Sequence, residues 1–165
     1  MGIIRQPRPD DHATLIAAIR EWWGDSRTPA EAHELSRQLP KLFLKHFAGT
    51  SLLMEGDDGV EGFLIGFHSA DHADESYIHV IGVHPERRKD GVARQLYEHF
   101  FAEAAAAGRA RVRAITSPGN KGSIAFHRSM GFTLEDGDHT VDGIPVHIDY
   151  DGPGEDRVSF QRPLP

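Results

Sequence analysis

The sequence predicts an α+β (α/β layered) fold in which helices flank a mixed sheet. Two observations lead to this prediction. Apolar residues recur at helical spacing in several segments, and between these lie segments in which apolar and polar residues alternate with the period of a strand. The composition, 39% hydrophobic and 26% charged over 165 residues, is that of an ordinary globular protein. We therefore expect a single domain over residues 1–165.

The first part of the chain predicts one short strand followed by helices. Residues 3–4 are a β-branched pair that starts a strand. A helix follows Pro9 and ends at Gly24, a residue type that is favoured after helices. The sequence Thr28-Pro29-Ala30-Glu31 is a capping box with proline at the first helical position, which predicts the start of a second helix. Residues 42–47 form a further short apolar stretch.

The remainder of the chain predicts most of the sheet. A turn at 56–59, Gly-Asp-Asp-Gly, indicates a hairpin between the first two of its strands. Helical spacing returns at 91–107 and at 121–130, and a loop rich in Gly and Asp precedes the last strand. The predicted strands are 51–55, 60–67, 75–83, 112–116, 132–135 and 157–161. The predicted order is therefore β-α-α-β-β-β-α-β-α-β-β.

Composition and charge argue against several classes of function. The formal net charge of −7 argues against a nucleic-acid partner. No apolar run is long enough to cross a bilayer, and no signal peptide is evident, so we expect no membrane partner and a cytoplasmic location. The chain has no cysteine, which excludes disulfides and thiolate ligands. Its eleven histidines are scattered, and we expect no metal site.

A basic turn before the third helix carries the strongest functional signal. It follows the strand 75–83, and Arg88, Lys89 and Arg94 give it positive charge in an otherwise acidic chain. A helix start presents unpaired N–H groups and a partial positive charge, which together favour an anion. Gly91 and Ala93 are small enough for a phosphate group to approach the backbone. The turn therefore predicts a pyrophosphate site, although the sequence matches neither a Walker motif nor a dinucleotide fingerprint.

Two linked segments resemble the GNAT superfamily of acetyltransferases. Arg88-Lys89-Asp90-Gly91-Val92-Ala93 matches the family signature Arg/Gln-x-x-Gly-x-Gly/Ala. The segment from Asn120 to Phe132 is similar to the family's second element, in which an Asn precedes a helix and Gly-Phe opens the next strand. The resemblance covers roughly residues 3–135. It implies the GNAT fold, a mixed, mostly antiparallel sheet of six to seven strands flanked by about four helices. It also implies acetyl transfer from acetyl-coenzyme A to an amine.

The resemblance also implies how acetyl-coenzyme A binds as co-substrate, without a metal. Backbone amides of the turn would hold its pyrophosphate, and the backbone of the strand before the turn would pair with the pantetheine arm as an added strand does. The Asn of the second element would hydrogen-bond the same arm. The residues predicted to bind the cofactor are Ile81, Val83, Arg88, Lys89, Gly91, Val92, Ala93, Arg94, Asn120 and Ser123.

Proton transfer is predicted for three side chains. His79 shares a strand face with Val83 and lies where some members of the family place a catalytic histidine, so it is the predicted base that deprotonates the amine. Glu75, on the same face, is predicted to act through water. His127 occupies the position where the family usually has a tyrosine as general acid. It is predicted to take that role, and the alternatives that stay open are that it packs or that it binds the cofactor.

The acceptor is predicted to be a primary amine of a small molecule. Aromatic residues that the resemblance places near the acceptor are Trp22, Trp23, Tyr77 and Tyr150. If the amine is cationic, Asp149 and Asp151 would attract it. Two alternatives stay open, a protein or peptide N-acetyltransferase and a non-catalytic acyl-coenzyme A-binding module. The resemblance is compatible with a homodimer and does not specify the amine or the length of the acyl group.

Overall fold

Local sequence signals correspond closely to the elements of the computed structural model, which describes residues 2–24 and 27–165. The capping box forms as predicted. Thr28 N donates to Glu31 Oε1 at 3.0 Å, and Glu31 N donates to Thr28 Oγ1 at 3.2 Å. The chain divides into two units, one made of residues 1–67 and 78–103, the other of residues 68–77 and 104–165.

The first unit contains an antiparallel hairpin and most of the helices. Its strands are β1 (Ile3–Arg5), β2 (Leu52–Gly56), β3 (Gly59–His68) and the second part of β4 (Glu75–Val83). Gly56 pairs with Gly59, which confirms the predicted hairpin turn. Its helices are α1 (His12–Trp22), α2 (Pro29–Ser36), α3 (Leu42–His46) and most of α4 (Val92–Ala106).

One apolar cluster fills the first unit. It joins the inner face of α1 to the hairpin strands and to the residues around α3. Trp22, only 3% exposed, stacks on Phe63 with ring centroids 5.8 Å apart. The buried members are Leu15, Ala18, Ile19, Trp22, Leu39, Leu44, Leu53, Phe63 and Ile65. This packing fixes the position of α1 against β3.

The second unit contains the first part of β4 and the C-terminal strands. Its elements are β5 (Arg111–Thr116), α5 (Lys121–Ser129), β6 (Thr133–Leu134), β7 (His139–Val141), β8 (Ile144–Val146) and β9 (Val158–Pro163). Strand β4 runs parallel to β5 through residues 75–77, and β9 pairs antiparallel with both β5 and β6.

The predicted fold class is confirmed. Among the described residues, seven strands form one mixed, mostly antiparallel sheet in the order β1-β2-β3-β4-β5-β9-β6. Two elements differ from the prediction. The apolar stretch at 42–47 contains the five-residue helix α3, and the Gly/Asp-rich loop contains the hairpin β7–β8. That hairpin turns through Asp142 and Gly143, both at positive φ, which is the sequence type of a tight hairpin turn. No helix in the described part of the chain is long and apolar enough to cross a membrane.

Candidate functional site

The basic turn leads from the end of β4 into α4. Two backbone hydrogen bonds tighten it, from Arg87 N to His84 O at 2.8 Å and from Asp90 N to Arg87 O at 3.1 Å. The bond from Gln95 N to Gly91 O, at 3.0 Å, joins the turn to the first turn of the helix. The turn is thus a defined backbone structure rather than an open loop.

The amides at the start of α4 are suited to an anion. Those of Val92, Ala93 and Arg94 precede the first helical hydrogen bond, so the helix has no carbonyl partner for them. The partial positive charge of a helix start acts at the same place. The Val92 side chain is buried, and the side chain of Ala93 is only a methyl group. These features fit a diphosphate group.

Two glycines have conformational or steric roles here. Gly91 has φ +77°, a left-handed conformation that glycine adopts without strain, and no atom of the described residues lies within 4 Å of where a Cβ would stand. Gly62 on β3 allows the start of α4 to approach, because a Cβ there would lie 2.7 Å from Val92 Cγ1 and 3.1 Å from the carbonyl oxygen of Gly82.

The side chains of the turn have different partners. Arg87 Nε lies 2.9 Å from Glu61 Oε2, so this guanidinium joins the turn to β3. Arg88 Nη2 donates to the carbonyl oxygen of Trp22 at 2.8 Å and so contacts the last residue of α1. Arg94 lies on the first turn of α4, exposed, with its Nη1 3.9 Å from Glu98. Lys89 is exposed.

His79 is held in a defined orientation on β4. Its Nε2 atom lies 2.5 Å from the carbonyl oxygen of Gln38, and its ring stacks on Phe43 with centroids 4.4 Å apart and planes 8° from parallel. Because a carbonyl oxygen only accepts, Nε2 carries the proton in this bond. The Nδ1 atom of the neutral ring is then the proton acceptor. His79, Ile81 and Val83 are half-buried on one face of the strand.

Glu75 belongs to an ion-pair network in the second unit. Its carboxylate, 15% exposed, lies 2.9 Å from Arg113 Nε and 3.4 Å from Arg111 Nη1. Arg113 also pairs with Glu135, which accepts from Ser159 Oγ at 2.7 Å. The hydrogen bond that Arg113 donates to Glu135, together with the one it donates to Glu75, raises the pKa of Arg113. Glu75 is thus a member of a network that spans β4, β5 and β9, while the predicted relay role stays a prediction.

Asn120, Ser123 and His127 are arranged along α5. Asn120 caps the helix, since its Oδ1 atom accepts from Ser123 N at 3.1 Å. His127 is 4% exposed, and its Nδ1 atom lies 2.8 Å from the carbonyl oxygen of Ser123. Burial lowers the pKa of His127, against the opposing effect of that hydrogen bond. In the neutral ring Nδ1 carries the proton toward Ser123, which leaves Nε2 unprotonated.

Three residues of the loop between β8 and β9, Tyr150, Asp151 and Arg157, act electrostatically on Tyr77. Burial raises the pKa of the Tyr77 hydroxyl, and Tyr150 and Asp151 act in the same direction. Asp151 pairs with Arg157 at 2.9 Å. Asp149, at φ +53°, accepts from the backbone of the same loop, at Gly154 N. Asp149 and Asp151, the two acids predicted to attract a cationic amine, are thus both engaged within the loop. Tyr150 is 49% exposed.

The two tryptophans lie at the end of α1. Trp22 is buried between Phe63 and His84, whose ring centroids lie 5.8 Å and 5.6 Å from its own. Trp23 is half-buried, and its Cη2 atom would lie 3.1 Å from a Cβ placed on Gly82. Both residues therefore pack beside the end of β4, and Trp22 contributes to the core.

The predicted site residues divide between the two units. The first unit holds Trp22, Trp23, His79, Ile81, Val83, Arg88, Lys89, Gly91, Val92, Ala93 and Arg94. The second unit holds Glu75, Tyr77, Asn120, Ser123, His127 and Tyr150.

Sequence reasoning missed the Gln38 carbonyl and Phe43 as partners of His79, and Arg113 as the partner of Glu75. One sequence signal pointed to the Gln38 carbonyl. Pro40 ends the α2 region, and a helix end leaves carbonyl groups without helical partners, so a carbonyl just before Pro40 is free to accept from another side chain.

The chain resembles known acetyltransferases in sequence and in structure. Its residues 16–132 match the model of the acetyltransferase (GNAT) family. A comparison with curated proteins finds no match. Three solved structures give TM-scores of 0.69 to 0.71 at 16% to 20% identity, values that show a common fold.

Those three structures come from different organisms. One is the ribosomal-protein-S18-alanine N-acetyltransferase of Escherichia coli, at 20% identity, TM-score 0.69 and coverage of 99% of this chain and 94% of that one. Another is the diaminobutyrate acetyltransferase EctA of Paenibacillus lautus, bound to L-2,4-diaminobutyric acid and coenzyme A. It is 18% identical, with a TM-score of 0.70 and coverage of 98% of this chain and 93% of that one. The third is the PaiA N-acetyltransferase of Thermoplasma acidophilum in complex with coenzyme A. It is 16% identical, with a TM-score of 0.71 and coverage of 99% of both chains.

The family match covers more than two thirds of the chain and includes the basic turn, the capped helix α5 and the Gly-Phe that follows it. The fold has the strand order described above and agrees with that assignment. The chain therefore belongs to the acetyltransferase (GNAT) family, and it is an acyltransferase whose co-substrate is acetyl-coenzyme A.

Proposed function

We propose that this protein transfers the acetyl group of acetyl-coenzyme A to the primary amine of a small molecule by direct attack on the thioester. The observation that carries the proposal is the geometry of His79. Its Nε2–H is used by the Gln38 carbonyl, and its ring plane is fixed by Phe43. An imidazole with one protonated nitrogen and a fixed plane presents a single basic atom, Nδ1, in a defined direction.

The reaction balances with this one base. The ammonium of the acceptor loses a proton to His79 Nδ1, and the neutral amine attacks the thioester carbon. The carbon–sulfur bond then breaks, and the acetamide forms together with the thiolate of coenzyme A. The attacking nitrogen loses its second proton to solvent, and the thiolate takes up a proton from solvent. His79 then releases its own proton before the next cycle.

The coenzyme binds through backbone groups in this proposal. The amides of Val92, Ala93 and Arg94 donate to the pyrophosphate. The backbone of Ile81 and Val83 pairs with the pantetheine arm. The amide nitrogen of Asn120 donates to that arm as well, because its Oδ1 atom is already used as the helix cap. Lys89 adds charge, and Ser123 is a further hydroxyl on the first turn of α5.

His127 is a poor proton donor in its observed state. Its neutral ring directs the one N–H group to the Ser123 carbonyl, and burial disfavours the imidazolium. We therefore propose that the thiolate leaves without an imidazolium at this position. Tyr77 is also disfavoured as an anion because burial raises its pKa, and as a neutral hydroxyl it can still donate a hydrogen bond.

The test is the pair of variants His79→Gln and His79→Ala, assayed for thiol release with a panel of amines and one peptide with a free N-terminus. Loss of a positioned base lowers kcat by about 10²–10⁴-fold. The control is His99→Gln, since His99 is an exposed histidine on α4 whose ring pairs with Glu103 of the same helix. Unchanged kcat in both His79 variants would reject His79 as the base. Turnover of the peptide alone would replace the small-molecule acceptor by a peptide.

A further inference from the structure

Three contacts attach the carboxyl end of α1 to the basic turn and to the end of β4. The guanidinium of Arg88 donates from Nη2 to the carbonyl oxygen of Trp22 at 2.8 Å. The indole of Trp22 packs on the ring of His84, which begins the turn, at a centroid distance of 5.6 Å. Trp23 lies so close to Gly82 that a Cβ there would be 3.1 Å from its Cη2 atom. The end of this helix is therefore attached to the turn by a hydrogen bond and by ring packing.

The Arg88 contact has the chemistry of a helix cap. Trp22 is the last residue of α1, and carbonyl groups at a helix end lack helical partners and carry partial negative charge. A guanidinium is a favourable partner for them. In the proposed coenzyme site the diphosphate is held by backbone amides, so the Arg88 side chain can serve as this cap.

Helix α1 is bonded in turn to α2. Arg20 Nε donates to Ser36 Oγ at 3.3 Å, and Arg20 Nη2 donates to His33 Nδ1 at 2.7 Å. Ser36 is 1% exposed and donates from Oγ to the carbonyl oxygen of His33 at 2.6 Å. Two side chains at the end of α2 are thus fixed by one arginine of α1.

The end of α2 holds the candidate base. Gln38 N donates to Leu35 O at 3.1 Å, which continues the helical path past Ser36. The Gln38 carbonyl then accepts from His79 Nε2 at 2.5 Å. A continuous set of bonded groups therefore runs from Arg88 through α1 and α2 to His79, all within the first unit.

We propose that Arg88 is a positioning residue for His79, which acts by holding the end of α1 against the basic turn and thereby keeping α2 and the Gln38 carbonyl in place. The inference rests on the proposed function, in which His79 is the base. It assigns Arg88 to the orientation of the base, where the family signature suggested a role in coenzyme binding.

The experiment compares Arg88→Ala with the control Arg94→Ala. The control removes the same charge from the same stretch of chain, but its side chain pairs with Glu98 on the exposed side of α4. Both tryptophans of the protein lie at the α1 end, so their emission reports on it directly. In Arg88→Ala we expect red-shifted emission and stronger acrylamide quenching, whereas Arg94→Ala should match the wild type in both.

Coenzyme A affinity, measured by calorimetry, should fall less than about threefold in Arg88→Ala. In the same variant kcat with acetyl-coenzyme A should fall by about tenfold, the scale of one charged hydrogen bond.

A double-mutant cycle with His79→Gln tests whether Arg88 acts through the base. The loss in kcat from Arg88→Ala should largely disappear in the His79→Gln background, and Arg88→Lys should restore part of kcat in the wild-type background. Wild-type emission and quenching in Arg88→Ala, with a tenfold or larger loss of coenzyme A affinity, would overturn the inference and make Arg88 a phosphate ligand. If His79→Gln alone leaves kcat unchanged, the proposed base fails, and the positioning role of Arg88 fails with it. The tryptophan comparison then still measures the attachment of α1.

Discussion

The imidazole ring of His127 lies parallel to the ring of Phe160, with centroids 4.6 Å apart and planes 7° from parallel. Phe132 and Phe126 contact the same imidazole edge-on. A histidine that contacts three aromatic rings and is 4% exposed is a core residue, and its burial disfavours the charged form. The helix position at which the family usually has a tyrosine is therefore occupied here by a side chain that is packed inside the protein.

The neutrality of His127 predicts a loss of stability in acid. Burial holds the pKa of His127 below the 6.5 of an exposed histidine, so the unfolded chain takes up a proton at higher pH than the folded one. The stability that this difference contributes is complete above about pH 6.5 and is lost as pH falls, by at most about 1.4 kcal/mol per pH unit. In His127→Phe the free energy of unfolding should therefore fall less between pH 7.5 and 5.5 than in the wild type. Denaturant unfolding at several pH values measures this free energy. The prediction is contradicted if the free energy of unfolding of His127→Phe changes with pH as steeply as that of the wild type and of the control His99→Gln.

The glycines at the two ends of α4 form a matched pair. Gly91 and Gly108 have φ of +77° and +80°, and at neither position would an added Cβ meet an atom of the described residues within 4 Å. Alanine at either position should cost about 1–2 kcal/mol of stability, because its side chain disfavours the left-handed backbone conformation. No steric clash with the part of the chain that the structure describes adds to this cost. Gly91→Ala should in addition weaken coenzyme A binding, since its Cβ stands beside the amides proposed to hold the pyrophosphate. Calorimetry of both variants decides this, and equal affinities for coenzyme A would remove Gly91 from the binding site.

Glu75 offers a test between structure and catalysis. In Glu75→Gln the neutral amide leaves Arg113 and Arg111 with a weaker partner, and stability should fall by about 1–2 kcal/mol. Arg113→Met should cost a similar amount, and the two losses should be less than additive, because the same ion pair is broken in both. If Glu75→Gln lowers kcat by more than tenfold while stability is unchanged, Glu75 is a proton relay and its network role is secondary.

Features set by neighbouring residues could be predicted from the sequence. The strand Glu75–Val83, the capping box at Thr28 and the turn before α4 depend on residues within a few positions of each other, and each was predicted within two residues of its observed bounds. The pairing of Gly56 with Gly59 is of the same kind. Alternation along β4 also indicated which face His79 occupies.

Features that join distant residues could not be predicted. The partner of His79 lies 41 positions away at Gln38, and it is a backbone oxygen, which leaves no trace in residue identity. Arg88 bonds to a carbonyl 66 positions away for the same reason. The hairpin β7–β8 was missed because its strands have three residues each, too short to show alternation, although the turn at Asp142 and Gly143 was a usable signal.

The most direct test of the central claim is a titration of the protein with acetyl-coenzyme A, followed in the same preparation by thiol release with the amine panel. We expect one coenzyme bound per chain and thiol release that requires an amine. In His79→Gln, coenzyme binding should be retained while turnover falls by about a hundredfold or more. Absence of binding at millimolar acetyl-coenzyme A would contradict the proposed coenzyme site. Binding that produces no amine-dependent thiol release would instead make this protein an acyl-coenzyme A-binding module.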